Sequence, residues 1–367
     1  MAKRVGGGTG IRKATDAFKI GDLDTLKHGI EYQNRIRAIR VVIVATLLAS
    51  LVVFIMIAAF AIINEGASKF VAEFESMNLY YFLLALIVIF TGYVMRFPKW
   101  ELYLKRLKVR IPRGKNFMVY LSMYSMDITP GRWGRAVVSY TINKLTRVPF
   151  IRTFPAVVAD IFTDFLGFAI LLVIATLLVQ KFVLLSVIIT ILLLIPFVFV
   201  YMRRPYNFMK RWLGRVKKLK SIFQMGDMYF KYHRLLGHGS YAYSMLYTIP
   251  AMFLNGLALY LVILAFGVQL PIALLPTVIF IFTSSLILGM ITGIPATLGV
   301  TDAALVGYLT LFFPTLIGVG LASVITIFFR IASVWFVEGF GFSALIYTMR
   351  YWDIPAQHYK ENTEIAE

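Results

Sequence analysis

Runs of about 20 apolar residues recur along most of the chain, separated by basic loops, and this leaves few folds open. A helix of that length crosses a bilayer, and inside lipid every backbone polar group needs a partner from the chain itself. Only helical bundles and closed barrels meet that condition. Barrel strands are about 10 residues long and alternate in polarity, and these runs do neither. Composition agrees: 59% of the 367 residues are hydrophobic and 15% charged, against roughly a quarter charged in a soluble domain. The mean hydropathy is +0.78. The expected fold class is all-α, a polytopic integral membrane protein.

The 37 Lys and Arg against 18 Asp and Glu give a formal charge of +19. In a soluble protein that balance would suggest nucleic acid. Here the cations lie in loops between apolar runs, where the positive-inside rule accounts for them, and no nucleic-acid partner is expected. The absence of cysteine removes disulfides, thiolate metal sites and a cysteine nucleophile. His28, His233, His238 and His358 lie in polar segments, none at metal-ligand spacing. No metal, cofactor or catalytic residue is therefore expected. Gly6–Gly10 has no strand before it and no Gly-Lys-Ser/Thr after it, so it reads as flexible tail rather than a phosphate loop. The first 40 residues lack the apolar core of a cleavable signal peptide.

Along the chain, residues 1–39 read as a basic cytoplasmic tail, 40–349 as the transmembrane domain with a basic cytoplasmic loop at 203–238, and 350–367 as a cytoplasmic tail. Spans are expected at about 40–63, 79–97, 154–178, 182–201, 241–266, 271–291 and 317–347, and a shorter helix at 302–313 brings the count to about 8. Asn64–Asn78 carries three glutamates and one lysine and reads as external. Eight of the residues from Arg96 to Lys115 are basic, so that loop is placed inside. The Arg203–Arg234 segment suggests an amphipathic helix on the lipid surface.

Two stretches interrupt the pattern. Asp127-Ile128-Thr129-Pro130-Gly131-Arg132-Trp133-Gly134-Arg135 lies between two apolar pieces too short to cross, which suggests a re-entrant hairpin. Pro295-Ala296-Thr297-Leu298-Gly299 shares its Pro-x-x-x-Gly spacing with Pro130–Gly134. Matched broken segments in two halves of a membrane protein suggest an internal pseudo-repeat and point to a substrate site near the midplane. Charges also stand inside apolar helices, where each costs about 3 kcal/mol on insertion scales and usually faces a bundle interior or a wet cavity. Asp160 and Asp164 are one turn apart on one helix face, with Thr163 beside them. Ser323, Thr326, Arg330 and Ser333 form a polar stripe on the last helix, and Glu338 stands two turns beyond Arg330, somewhat off that stripe. Arg330 reads as a contact for an anionic headgroup or as half of a buried pair with Asp164, Asp160 or Glu338. Asp302 reads as an N-cap of the short helix, with Thr301 as competitor, or as a site residue. For Asp160 and Asp164, one carboxylate paired with an arginine and the other protonated or near the surface competes with a proton relay. Arg132 and Arg135 read as phosphate ligands or as interfacial positive-inside residues.

These residues support a resemblance. The segment from Asp127 to Arg135, then Val148-Pro149-Phe150 and Ala156–Asp164, resembles the first signature of the lysylphosphatidylglycerol synthase transmembrane (flippase-like) family, a Pro-Gly-Arg-x-Gly turn followed by a helix carrying Glu-Arg-x-x-Asp. Ile294–Asp302 resembles its second signature, Pro-Gly-Gly-x-Gly-x-x-Glu, and Arg330 falls where that family places an arginine. The sequence departs from the pattern at Ala159 and Asp160, which replace Glu and Arg, at Ala296 and Thr297, which replace the paired glycines, and at Asp302, which keeps the charge of Glu. The resemblance implies a lipid-handling membrane domain. In bacterial multiple peptide resistance proteins that domain translocates aminoacylated phosphatidylglycerol, and a separate soluble domain makes the lipid. Stand-alone members lack the synthase, and some accompany glycosyltransferases acting on polyprenyl-phosphate lipids.

The expected function is a lipid flippase or transporter for an anionic phospholipid or a polyprenyl-phosphate-linked lipid. Arg132, Arg135 and Arg330 would hold the phosphate, Asp160, Asp164, Asp302 and Glu338 would complete the site, and Pro130, Gly131, Gly134, Pro295 and Gly299 would shape its turns. A membrane-embedded transferase or accessory subunit, with Asp160 and Asp164 as acid and base, is the alternative; an inert scaffold is the third reading. A homo-oligomer or a separate lipid-modifying enzyme are the protein partners in view. The expected location is the plasma membrane with both termini cytoplasmic. Because the chain has no cysteine, single-cysteine labelling tests this directly. Ala2→Cys and Asn362→Cys should react with an impermeant maleimide only after cells are permeabilised, and Ser68→Cys in intact cells; the opposite pattern would invert the topology.

Overall fold

A computed structural model describes residues 66–351 except 181, 214–219 and 295–296, together with 48, 51–52, 55–59 and 62–63. The chain divides into two compact units, Met1–Ala49 and Ser50–Glu367, and the helical bundle belongs to the second. The tail 1–39, nearly all of the tail 350–367, Pro295 and Ala296 lie outside the described residues, as does most of the span expected at 40–63.

The described residues are helical, without a strand among them. In chain order the helices are α1 Ala67–Glu75, α2 Leu79–Met95, α3 Phe97–Arg106, α4 Arg113–Ser122, α5 Val137–Thr146, α6 Phe150–Val179, α7 Val183–Tyr201, α8 Arg203–Leu213, α9 Lys220–Ala265, α10 Leu275–Thr292, α11 Val300–Phe312, α12 Val319–Arg330 and α13 Phe336–Tyr351. Among the described residues five stretches are long and apolar enough to cross a bilayer: Leu79–Arg106, Phe150–Val179, Phe223–Ala265, Ile272–Thr292 and Val319–Arg350. Large apolar side chains such as Leu83 and Ile87 on α2, and Leu184 and Ile191 on α7, point outward. A lipid-facing surface tolerates this where water would not. α7 has 19 residues without a charge and reaches roughly 28 Å. α11, with 13 residues, spans roughly 20 Å, less than a hydrocarbon core of about 30 Å. Counting it among eight crossings is therefore not supported by its length.

Other boundaries also move. The Asn64–Asn78 stretch expected as a loop contains α1. The basic loop expected from Arg96 begins as helix: Pro98 falls in the first turn of α3, where its missing N–H costs nothing, so the span runs on to Arg106. The segment Arg203–Arg234, where an amphipathic helix is expected, opens with α8, which exposes Phe208 and Trp212 and buries Tyr206. Its Tyr206 hydroxyl donates to the Phe223 carbonyl at 2.6 Å. α9 is far too long for one crossing and turns at Gly237, whose φ of 67° and ψ of 153° leave helical space. The span read at 241–266 is the part after that turn.

The core packs α9 along α2 and α6, and α10 along α6 and α11. The helical hairpin of α6 and α7 turns through left-handed Gln180 and Phe182. The broken segment 113–146 is a helix–turn–helix, with α4 and the following 3-10 turn Met123–Met126 lying against α13. That contact is so close that a Cβ on Gly341 would stand 2.5 Å from the Ser125 backbone nitrogen, whereas one on Gly339 would meet nothing within 4 Å. Gly341→Ala should lower the melting temperature in detergent by several degrees, since forced overpacking costs about 1–3 kcal/mol, and Gly339→Ala should leave it unchanged. Equal melting of both variants would mean that α13 does not press on the turn.

Candidate functional site

The site grows from a problem of buried charge. Asp160 and Asp164 sit one turn apart on α6, both fully buried. A buried carboxylate persists as an ion only when cations and hydrogen-bond donors surround it. Arg96, at the end of α2, and Lys99, in the first turn of α3, supply the nearest cations. Lys99 Nζ lies 3.0 Å from Asp160 Oδ1 and 2.6 Å from Asp164 Oδ1, and donates to Thr163 Oγ1 at 3.1 Å. Arg96 Nη1 donates to Asp164 Oδ2 at 2.9 Å. The expectation that one aspartate would lie near the surface does not hold: both carboxylates are buried and enclosed by cations.

The third contributor is the turn between α4 and α5. Gly131 (φ 59°) and Arg132 (φ 60°) are both left-handed, at a cost of about 1–2 kcal/mol for a residue with a side chain such as Arg132. The Arg132 N–H donates to the Thr129 carbonyl at 2.9 Å, and Gly134 N–H to Thr129 Oγ1 at 2.6 Å. This tight fold sends Arg135 inward and leaves Arg132 at the edge. Arg135 is fully buried; it grips both oxygens of Asp127 with Nε and Nη2 and donates from Nη1 to Asp160 at 2.7 Å and Asp164 at 2.8 Å. Arg132 is held more loosely, 3.5 Å from Asp164 and 3.7 Å from Asp127, with its guanidinium 5.5 Å from the Phe168 ring centre.

The second broken segment supplies the opposite wall. Gly299 (φ 77°) precedes α11, and its N–H donates to Asp302 Oδ2 at 2.8 Å. Asp302 therefore closes the first turn from the third helical position, so neither it nor Thr301 is the N-cap. Its other oxygen, Oδ1, is 2.8 Å from Arg330 Nε. Arg330 thus forms a buried ion pair with Asp302, an acidic residue of the second broken segment. Directly after Arg330 the helix widens into a π turn, Ile331–Trp335, a feature frequent at functional sites.

Between these walls lies a cavity of about 90 Å³. The first broken segment lines it with Asp127 and Arg132, the second with Thr297 and Thr301, and the helices add Arg96, Arg330, Ser333 and Glu338, with Phe165, Phe168, Phe282 and Phe329 as apolar walls. Three buried polar atoms of these lining residues have no hydrogen-bond partner among the described residues: Arg96 Nη2, Thr301 Oγ1 and Glu338 Oε1. Buried polar atoms of this kind call for a partner or a role; nine others lie elsewhere among the described residues, and these three share one cavity. Around the cavity five cations (Arg96, Lys99, Arg132, Arg135, Arg330) meet four aspartates (Asp127, Asp160, Asp164, Asp302), a surplus of one positive charge before Glu338 is counted.

The sequence candidates thus divide. Arg132, Arg330 and Glu338 line the cavity, with Gly131 in its wall; Arg135, Asp160, Asp164 and Asp302 stand one layer behind and hold its arginines. Gly134 packs the turn, where a Cβ would lie 2.6 Å from the Met126 carbonyl oxygen. The backbone of Pro130 opens the 3-10 turn Pro130–Ala136. Arg96, Lys99 and Asp127 are not among the sequence candidates. The signal for the first two is their three-residue spacing on one helix face, masked by their place at the start of a basic run. Among the described residues no group of His, Cys, Asp and Glu has the arrangement of a metal site.

None of the curated proteins compared with the chain matches it. The family model of the lysylphosphatidylglycerol synthase TM region matches residues 43–341, an interval that takes in both broken segments, the aspartate pair, Arg330 and Glu338. This multi-pass membrane chain therefore belongs to the lysylphosphatidylglycerol synthase transmembrane family, a membrane domain linked to the handling of lipids and their headgroups.

Proposed function

We propose that the chain is a lipid transporter: it binds the phosphate of an anionic phospholipid or polyprenyl-phosphate-linked lipid in the cavity and moves that lipid between leaflets. The observation that carries this reading is the convergence of both broken segments on one small cavity with a surplus cation and an unpartnered guanidinium nitrogen. A cavity of about 90 Å³ is small beside a whole lipid. It suits a phosphate group rather than a whole lipid, so the acyl chains would stay in the bilayer. Arg132 and Arg330 present planar donors suited to phosphate oxygens, and Arg96 Nη2 adds a third direction of approach. The aspartates behind them fix the arginines, as a phosphate site requires if it is not to close on itself.

The transferase alternative needs Asp160 and Asp164 as acid and base. Both are engaged by Lys99 and Arg135 and neither lines the cavity, which favours the transport reading. Liposomes test the transport reading. Purified protein should move a fluorescent phosphatidylglycerol or polyprenyl phosphate from the inner to the outer leaflet. Arg132→Ala and Arg330→Ala, shown to be folded by their melting curves, should each slow that movement roughly tenfold to a hundredfold, the weight of one charge-assisted hydrogen bond. Wild-type rates in both folded variants would discard the site.

A further inference from the structure

Glu338 is the one charged residue lining the cavity that the arginine–aspartate lattice does not use. It is 4% exposed, faces the space that Arg132 and Arg330 also face, and its Oε1 has no hydrogen-bond partner among the described residues. The titratable and charged groups that share the cavity with it are Tyr93 and Arg96 from α2, Asp127 and Arg132 from the turn, and Arg330 from α12, with Asp302 behind Arg330; α4 and its 3-10 extension, packed against α13, carry Tyr120 and Tyr124. The five cations and four aspartates described above leave a single positive charge. Ionised Glu338 cancels it. A phosphodiester entering the cavity cancels it equally well. With both present the buried region carries an uncompensated negative charge, the arrangement that low-dielectric surroundings penalise most. Like charges sharing such a site relieve the cost by one of them binding a proton, and a phosphodiester stays ionised across the physiological range, which leaves the carboxylate.

We propose that Glu338 is the proton-binding residue of the lipid site: it takes one proton from water as a phosphodiester enters and returns it as the phosphodiester leaves, so that lipid and proton move together. This rests on the lipid-binding reading above and adds to it the ion that couples transport. The reaction is a simple protonation of the carboxylate, with no redox or group-transfer step.

The test is calorimetric binding of a short-chain phosphatidylglycerol to the full chain in detergent, between about pH 5 and pH 9, in pairs of buffers that differ in ionisation enthalpy. One linked proton weakens wild-type binding by up to tenfold per pH unit as the pH rises, with proton uptake approaching one per lipid where Glu338 is ionised in the empty site. Glu338→Gln should bind at all these pH values with the affinity wild type reaches at low pH, and take up no proton. Glu338→Asp keeps the carboxyl and should keep both the pH dependence and the uptake, which covers the case of a glutamine variant that does not fold. Wild-type affinity independent of pH with no proton uptake, or a pH dependence unchanged in folded Glu338→Gln, overturns the coupling and leaves the lipid site standing. No binding by wild type at any pH overturns the lipid site and the coupling with it.

Discussion

Asp164 is the point at which three separate parts of the chain are tied together. Its two oxygens meet Lys99 from α3, Arg96 from α2, and Arg132 and Arg135 from the turn between α4 and α5. Each group alone would be costly to bury; together, with Asp160 and Asp127, they balance to within one charge. Removing one member leaves an uncompensated ion, and breaking a buried pair in this way costs about 3–5 kcal/mol. Replacing the whole set by hydrophobic residues of similar volume would often cost little, so stability alone does not explain why the chain retains it. What the lattice does is hold guanidinium groups at the edge of a cavity in fixed positions.

The broken helices follow from the same constraint. An arginine at the end of a straight span would point along it or out to lipid. Two left-handed residues at Gly131 and Arg132 turn the chain within a few residues, so that Arg135 goes inward to the aspartates while Arg132 faces the cavity. On the other side Gly299 and Asp302 close the start of α11, and Asp302 then holds Arg330. In both halves a carboxylate behind the wall positions an arginine in it. The pseudo-repeat suggested by the Pro-x-x-x-Gly spacing thus has a counterpart in side-chain pairing, although Pro295 lies outside the described residues.

The helical membrane class, the positions of most long spans and the two broken segments are legible in the sequence because hydropathy and Gly/Pro punctuation are local properties. Pairings are not. The polar stripe around Arg330 is compatible with several acidic partners, and the aspartate it pairs with, Asp302, stands in the first turn of the preceding helix. Periodicity places a residue on a face but does not say which distant face it meets. Arg96 and Lys99 are hidden by a rule that is right for the loop they precede: most of that basic run is exposed, but its first two cations point back into the bundle. Asp127 stands in the first broken motif, and its role emerges only when the turn brings Arg135 back to it.

The central claim is that this lattice keeps a cation available for a lipid phosphate. The most direct measurement is native mass spectrometry of the protein after mild detergent purification, comparing wild type with folded Arg132→Gln. The expected result is one anionic phospholipid or polyprenyl phosphate per wild-type chain, enriched over its share of the membrane, and its loss from the variant. The same lipids in the same amounts on both proteins, or none on wild type beyond the bulk composition, would contradict the claim.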